Sequence, residues 1–94
     1  LAAVKMNGKY GYINTKGEFA IPPKFEDTYK FSSNGLSFAK QGVKWGYINR
    51  EGDFVIPPRF DLASSFHSDD LANVTLEGIK GYIDIKGKFF NLPK

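Results

Sequence analysis

Gly46-Tyr47-Ile48-Asn49-Arg50-Glu51-Gly52-Asp53-Phe54-Val55-Ile56-Pro57-Pro58 is written more than once in this chain. Thirty-five residues earlier stand Gly11-Tyr12-Ile13-Asn14, Gly17, Phe19 and Ile21-Pro22-Pro23. Thirty-five residues later stand Gly81-Tyr82-Ile83-Asp84, Gly87 and Phe89. The spacing continues outward without a gap: Leu1, Leu36 and Leu71 align, as do Phe25 with Phe60 and Phe31 with Phe66. A fixed period of this length marks a tandem array, in which one small unit cannot bury its apolar face alone and stacks on its neighbours. The chain therefore divides into unit 1 (1–35), unit 2 (36–70) and a partial unit 3 (71–94), all within one domain, 1–94.

Each unit reads as a β-meander. Residues 1–6 predict a first strand with Ala2 and Val4 on one face, and Asn7-Gly8 predicts a tight hairpin, since both residues tolerate positive φ. Residues 9–14 predict a second strand. Asn14-Thr15-Lys16-Gly17 predicts a turn closed by a left-handed glycine. Residues 18–21 predict a third strand, with Phe19 and Ile21 sharing a face. Pro22-Pro23, and likewise Pro57-Pro58, are expected to end that pairing, because proline has no N–H for a ladder. Residues 24–31 then cross to the next unit, pinned by Phe25 and Phe31, with room for a short helical turn. Ser32-Ser33-Asn34-Gly35 predicts the turn into Leu36. Gly11, Gly46 and Gly81 fall in mid-strand, where glycine costs stability; the expected reason is an aromatic ring lying flat on the bare backbone. The fold class follows: all-β, tandem 35-residue hairpin/meander repeats in an elongated, solenoid-like array. A propeller-like winding also suits the period, but the copies are too few to close a ring.

Composition agrees with short strands and tight turns. Aromatics make up 16% of the 94 residues, alongside ten Gly and five Pro. The absence of cysteine excludes disulfides and thiolate metal sites. No apolar run approaches the ~18 residues that span a bilayer as a helix, so membrane insertion is not expected. The chain starts at Leu1, without a recognisable leader, as a fragment or processed product would. The compartment stays open, with a cell-surface or secreted location favoured over a cytoplasmic one. Net charge is +3. Unit 1 carries five Lys against three acids, unit 2 four bases against five acids, and unit 3 four Lys against two acids. That scatter describes a solvated surface better than a nucleic-acid stripe.

The stretch Lys44-Trp45-Gly46-Tyr47-Ile48-Asn49, Gly52 and Phe54-Val55-Ile56-Pro57-Pro58-Arg59-Phe60-Asp61 resembles the WG repeat, also called the KWG repeat. The resemblance extends over all three units. It departs where Tyr10 and Lys80 replace Trp45, where Ala20 replaces the larger Val55, and where Asn91-Leu92-Pro93 replaces Ile-Pro-Pro. The altered last unit looks like a cap or a truncation. The resemblance implies a mostly bacterial repeat protein, often joined to other domains. It implies no catalytic residue, no cofactor, and a role as an interaction or scaffold module.

Ser65, His67 and Asp69 alternate along one stretch, but a hydrolytic triad needs convergence from separate elements. Asp69-Asp70 falls short of the ~6–8 oxygens that calcium takes. Glu26-Asp27 reads as an exposed turn entry. No glycine cluster opens a helix as a phosphate cradle would. No catalytic residue, metal or cofactor is therefore expected. The aromatics Tyr10, Tyr12, Trp45, Tyr47 and Tyr82 recur along the array. Packing between units is the leading reading of these rings. A row stacking on sugar rings or clamping a peptide is the other. Single-stranded nucleic acid is disfavoured by the near-neutral middle unit. The function expected is a non-catalytic interaction or scaffold module, whose partner is a protein or further copies of the repeat. The alternative is a cell-envelope polysaccharide-binding module.

Overall fold

The computed structural model describes residues 1–32, 34–67 and 69–91. Ser33 of the first predicted crossover turn and Leu92-Pro93 of the altered last motif lie outside them. Among the described residues the chain is all β, with no helix; in place of the short helical turn allowed for residues 24–31 stand the end of β3, the two-residue β4 and irregular chain. Unit 1 supplies β1 (Ala2–Met6), β2 (Lys9–Ile13), β3 (Phe19–Phe25) and the short β4 (Asp27–Thr28). Unit 2 supplies β5 (Ser37–Gln41), β6 (Lys44–Ile48) and β7 (Phe54–Phe60). Unit 3 supplies β8 (Ala72–Leu76), β9 (Ile79–Ile83) and β10 (Phe89–Asn91). They form three antiparallel sheets, ordered β1-β2-β3, β4-β5-β6-β7 and β8-β9-β10. The first strand of each unit pairs with the second in one register: Ala2 faces Ile13, Ser37 faces Ile48 and Ala72 faces Ile83.

Turn chemistry sets that register. Asn7 and Gly8 both have positive φ (53° and 83°), as a type I′ turn requires, and Glu77-Gly78 repeats the pattern at 51° and 81°. In unit 2 only the first loop residue, Gly42, is positive (68°), the sign pattern of type II′. The second turn also recurs. Asn14 Oδ1 accepts from the N–H of Lys16 and of Glu18 at 2.9 and 3.1 Å. Asn49 does the same with Glu51 and Asp53, and Asp84 with Lys86 and Lys88. These donors hold the Asp84 carboxyl below the usual carboxylate range.

The third strand departs from expectation in two places. Pro22-Pro23 does not end the pairing: β3 runs on through both prolines, and Phe25 pairs with Tyr10. Tyr10 to Tyr12 is a two-residue step facing a four-residue step, Phe25 to Ile21, so the prolines ride in a bulge. A bulge is the place in a ladder where missing N–H groups do no harm. β7 repeats this with Pro57-Pro58. The mid-strand glycine faces that bulge. A Cβ on Gly46 would lie 2.5 Å from the Ile56 carbonyl oxygen, and one on Gly11 would lie 2.5 Å from that of Ile21. The close neighbour is thus backbone, not the flat ring expected; only at Gly81 does a ring, that of Phe89, stand within 2.6 Å.

A second bulge corrects the pairing of Phe19 with Ile21 on one face. Tyr12 and Ile13 are consecutive, yet face Ile21 and Phe19, so Ala20 is the extra residue. One inserted residue turns the two side chains to opposite faces. Unit 2 shows the result: Ile56 joins the core with Tyr47, while Phe54 joins the core with Ile48.

Two cores therefore lie between units rather than within them. The first joins Tyr12, Ile21 and Phe25 of unit 1 to Ala39 and Ile48 of unit 2. The second joins Tyr47, Ile56, Phe60 and Phe66 of unit 2 to Ala72, Val74 and Ile83 of unit 3. β6 feeds both, since Tyr47 and Ile48 are each 0% exposed on opposite sides of one strand. Each seam is also clasped at its edge. Glu26 receives Lys9 of its own unit and the N–H of Gly42 in the next, at 2.7 Å to Gly42. Asp61 does the same with Lys44 and Gly78. Both carboxyls are held below their usual range, chiefly by the lysine hydrogen bond. The whole measures 46 × 26 × 16 Å, with a radius of gyration of 13.3 Å. A compact chain of this length would give about 12 Å.

Candidate functional site

The five rings singled out from sequence do not form an exposed row. Tyr12 and Tyr47 are fully buried. The Tyr12 hydroxyl donates to the Tyr29 carbonyl and meets the hydroxyls of Thr28 and Ser37. The Tyr47 hydroxyl donates to the Ser64 carbonyl at 2.7 Å and accepts from the Ser64 N–H at 3.3 Å. Each phenol thus ties down the segment that crosses to the next unit. Burial pushes both phenols above the ordinary tyrosine value. Tyr10 and Trp45 are half-buried against the first and second core, with Lys5 and Lys40 ammonium groups 5.7 and 5.9 Å from their ring centres. Tyr82 is half-buried and stacks on Phe90 at 5.4 Å.

What reaches solvent is a different aromatic group. Tyr29 is 51% exposed and lies nearly parallel to Phe38, with centroids 5.3 Å apart and planes 22° apart. Phe38 continues to Trp45 at 5.2 Å. Tyr29 comes from the crossover, Phe38 from β5 and Trp45 from β6, so the register of the hairpin assembles the patch. Sequence reasoning found Trp45 but missed Tyr29 and Phe38. The available signal was a contrast across the period: Tyr29, Phe38 and Trp45 stand where the next unit has Ser64, Asn73 and Lys80.

That substitution opens a groove at the second seam. It measures about 370 Å³ and is lined by Leu62, Ala63, Ser64, Asn73, Val74, Thr75, Lys80 and Gly81. Ser64 Oγ bridges its floor, donating to the Asn73 carbonyl at 2.8 Å and accepting from the Asn73 N–H at 3.1 Å. The surface thus passes from an aromatic ridge at the first seam to a ring-free, largely aliphatic trough with one lysine at the second.

The segment holding Ser65, His67 and Asp69 closes on itself as a turn. His67 N–H donates to the Leu71 carbonyl at 2.8 Å, Asp70 N–H to the His67 carbonyl at 3.0 Å, and Asp69 Oδ1 accepts from Leu71 N–H at 3.1 Å. Asp69 is thus committed to the turn's own backbone. Among the described residues, no three His, Cys, Asp or Glu side chains gather where a metal could sit.

The motif, its period and the paired units define a tandem β-repeat protein. The sequence model for the WG containing repeat matches residues 10–45 and 45–78, and the chain belongs to that family. No curated protein and no solved structure matches it.

Proposed function

We propose that the chain is a non-catalytic interaction module whose units stack as an open, solenoid-like array and present a surface to a protein partner. The observation that carries this reading is the exposed stack of Tyr29 on Phe38 and Trp45, beside the groove of Ser64, Asn73 and Lys80. Aromatic side chains half out of water are what protein interfaces draw on for their anchors. The neighbouring carboxylates and phenols are engaged in clasps, turns and seams, which supports a binding rather than a reacting surface. Tyr29→Ala is the clean probe, because the hydrogen bonds Tyr29 gives the seam run through its backbone carbonyl and only the half-exposed ring stacked on Phe38 is removed. A partner recovered with the purified chain should be lost on Tyr29→Ala while the chain stays folded with a cooperative thermal transition, and soluble glycans should not displace it. Retention of that partner in Tyr29→Ala would refute the surface.

A second reading, recognition of a cell-envelope polysaccharide, draws on the same rings. A flat, exposed aromatic pair such as Tyr29 on Phe38 suits the apolar face of a sugar. Glycan-array binding that disappears in Trp45→Ala, with folding retained, would establish it in place of the first.

A further inference from the structure

The two seams repeat one contact pattern, and the outer face of unit 1 carries one half of it with nothing opposite. At the first seam, the methyl Cγ2 of Ile21 sits 2.8 Å from where a Cβ of Gly52 would be; at the second, Ile56 stands 3.2 Å from the same point on Gly87. Gly17 occupies the equivalent position in unit 1, also left-handed (φ 81°, against 87° at Gly52 and Gly87), and has nothing within 4 Å of that point. Ile48 and Ile83 are 0% exposed, whereas Ile13 is only half-buried and lines an open hollow with Leu1, Ala2, Asn14 and Thr15. Phe54 and Phe89 pack on the core of the preceding unit, while Phe19 is 39% exposed.

The strand edge shows the same vacancy. Lys40 and Thr75 each meet the crossover of the preceding unit, their carbonyls accepting from Glu26 N–H at 3.0 Å and Asp61 N–H at 2.8 Å. Lys5 is the matching residue on β1, whose outer edge has no neighbouring strand among the described residues.

We propose that this outer face is a docking surface for a further unit of the same kind, contiguous in the polypeptide, which lays an Ile-Pro-Pro strand on Gly17 and a crossover strand along β1. Three features specify the occupant: an aliphatic knob for Gly17, an apolar face for Ile13 and Phe19, and a strand for Lys5. Contiguity follows from the interior seams, where the segment that pairs with β5 is β4, the lead-in to β5 itself. A free second copy does not supply the knob, since its trailing strand carries Asn91 where Ile21 and Ile56 stand. The proposal is independent of the Tyr29 surface, and Tyr29→Ala leaves its test unaffected.

The test duplicates residues 1–35 ahead of Leu1 at the same spacing. The expected result is that the Lys5 amide exchanges with solvent at least about tenfold more slowly than in the parent chain, as an edge amide does on acquiring a strand. Phe19→Ala should shift the urea midpoint of the parent chain little, and that of the extended chain as much as Phe54→Ala does. An added unit that stays unfolded, or an unchanged Lys5 amide beside a folded one, overturns the proposal. So does self-association of the parent chain that Phe19→Ala abolishes, because it would place a free copy on this face.

Discussion

A methyl group at Gly46 would meet the Ile56 carbonyl oxygen at 2.5 Å and the Pro58 nitrogen at 2.8 Å, all backbone held in a bulge. Backbone cannot rotate aside as a side chain can, so Gly46→Ala should destabilise the chain by about 2–3 kcal/mol. For a domain of this size that is a fall in Tm of roughly 10–20 °C; a Tm within 2 °C of the parent, on the same scale, would show that the bulge yields. Tyr47 is the complementary case, a residue kept for one polar atom. Tyr47→Phe leaves the ring but strands the Ser64 carbonyl and N–H, costing about 1–2 kcal/mol by urea titration. The pH dependence has a definite sign. Burial raises the Tyr12 and Tyr47 pKa values above the ordinary 10.0. Above pH 10 the unfolded chain therefore releases protons that the folded chain retains, and stability falls as pH rises. Stability should be level just below that pH and decline above it, with a shallower decline in Tyr47→Phe. An identical alkaline slope in both proteins would remove Tyr47 from the account.

At the scale of the strand, the inserted residue opposite the Tyr-Ile pair decides which core each side chain enters. Inserting one residue between Tyr47 and Ile48 of β6 would match Val55 across the ladder, remove the bulge and return Phe54 and Ile56 to one face. One core would then lose a large side chain with no neighbour able to fill the space, and losses of about 3–5 kcal/mol follow from such cavities. The expected outcome is loss of a sharp unfolding transition in the insertion variant, while Val55→Ala, which keeps the bulge, unfolds cooperatively. The same bulges mark where sequence reading stopped. Hairpin turns, strand order and the period were legible because each depends on local rules: positive φ at Asn7-Gly8, the side-chain cap of Asn14, the two-residue alternation of strands. The bulges were not, because alternation counted along β3 alone puts Phe19 and Ile21 together, and only the partner strand reveals the extra residue. A missing N–H marks proline as a terminator by local rules, although a bulge makes that N–H unnecessary. At the site, Trp45 was visible as a motif residue. Tyr29 and Phe38 were hidden because they join it only through β5 pairing and through a crossover whose pairing with β5 no local pattern shows.

At the scale of the molecule, stability is shared across seams, so position along the array should set local stability. Unit 2 contributes to both cores, unit 1 and unit 3 to one each. In such a quasi-one-dimensional stack the stability of a unit is its own contribution plus one for every neighbour it touches. The urea dependence of amide exchange reads this directly. Amides of β6, between the two cores, should open only with the whole chain, whereas those of β1 and β10 should open at a free energy lower by about 2 kcal/mol or more. Phe66→Ala sharpens the comparison, because Phe66 lies in the second core and packs on Tyr47 at 5.0 Å. It should lower protection in β8 and β9 strongly, and in β1 only as far as the global stability falls. If β1, β6 and β10 instead exchange with one free energy and one urea slope, the three units form a single cooperative block, and the seams are not where this chain comes apart.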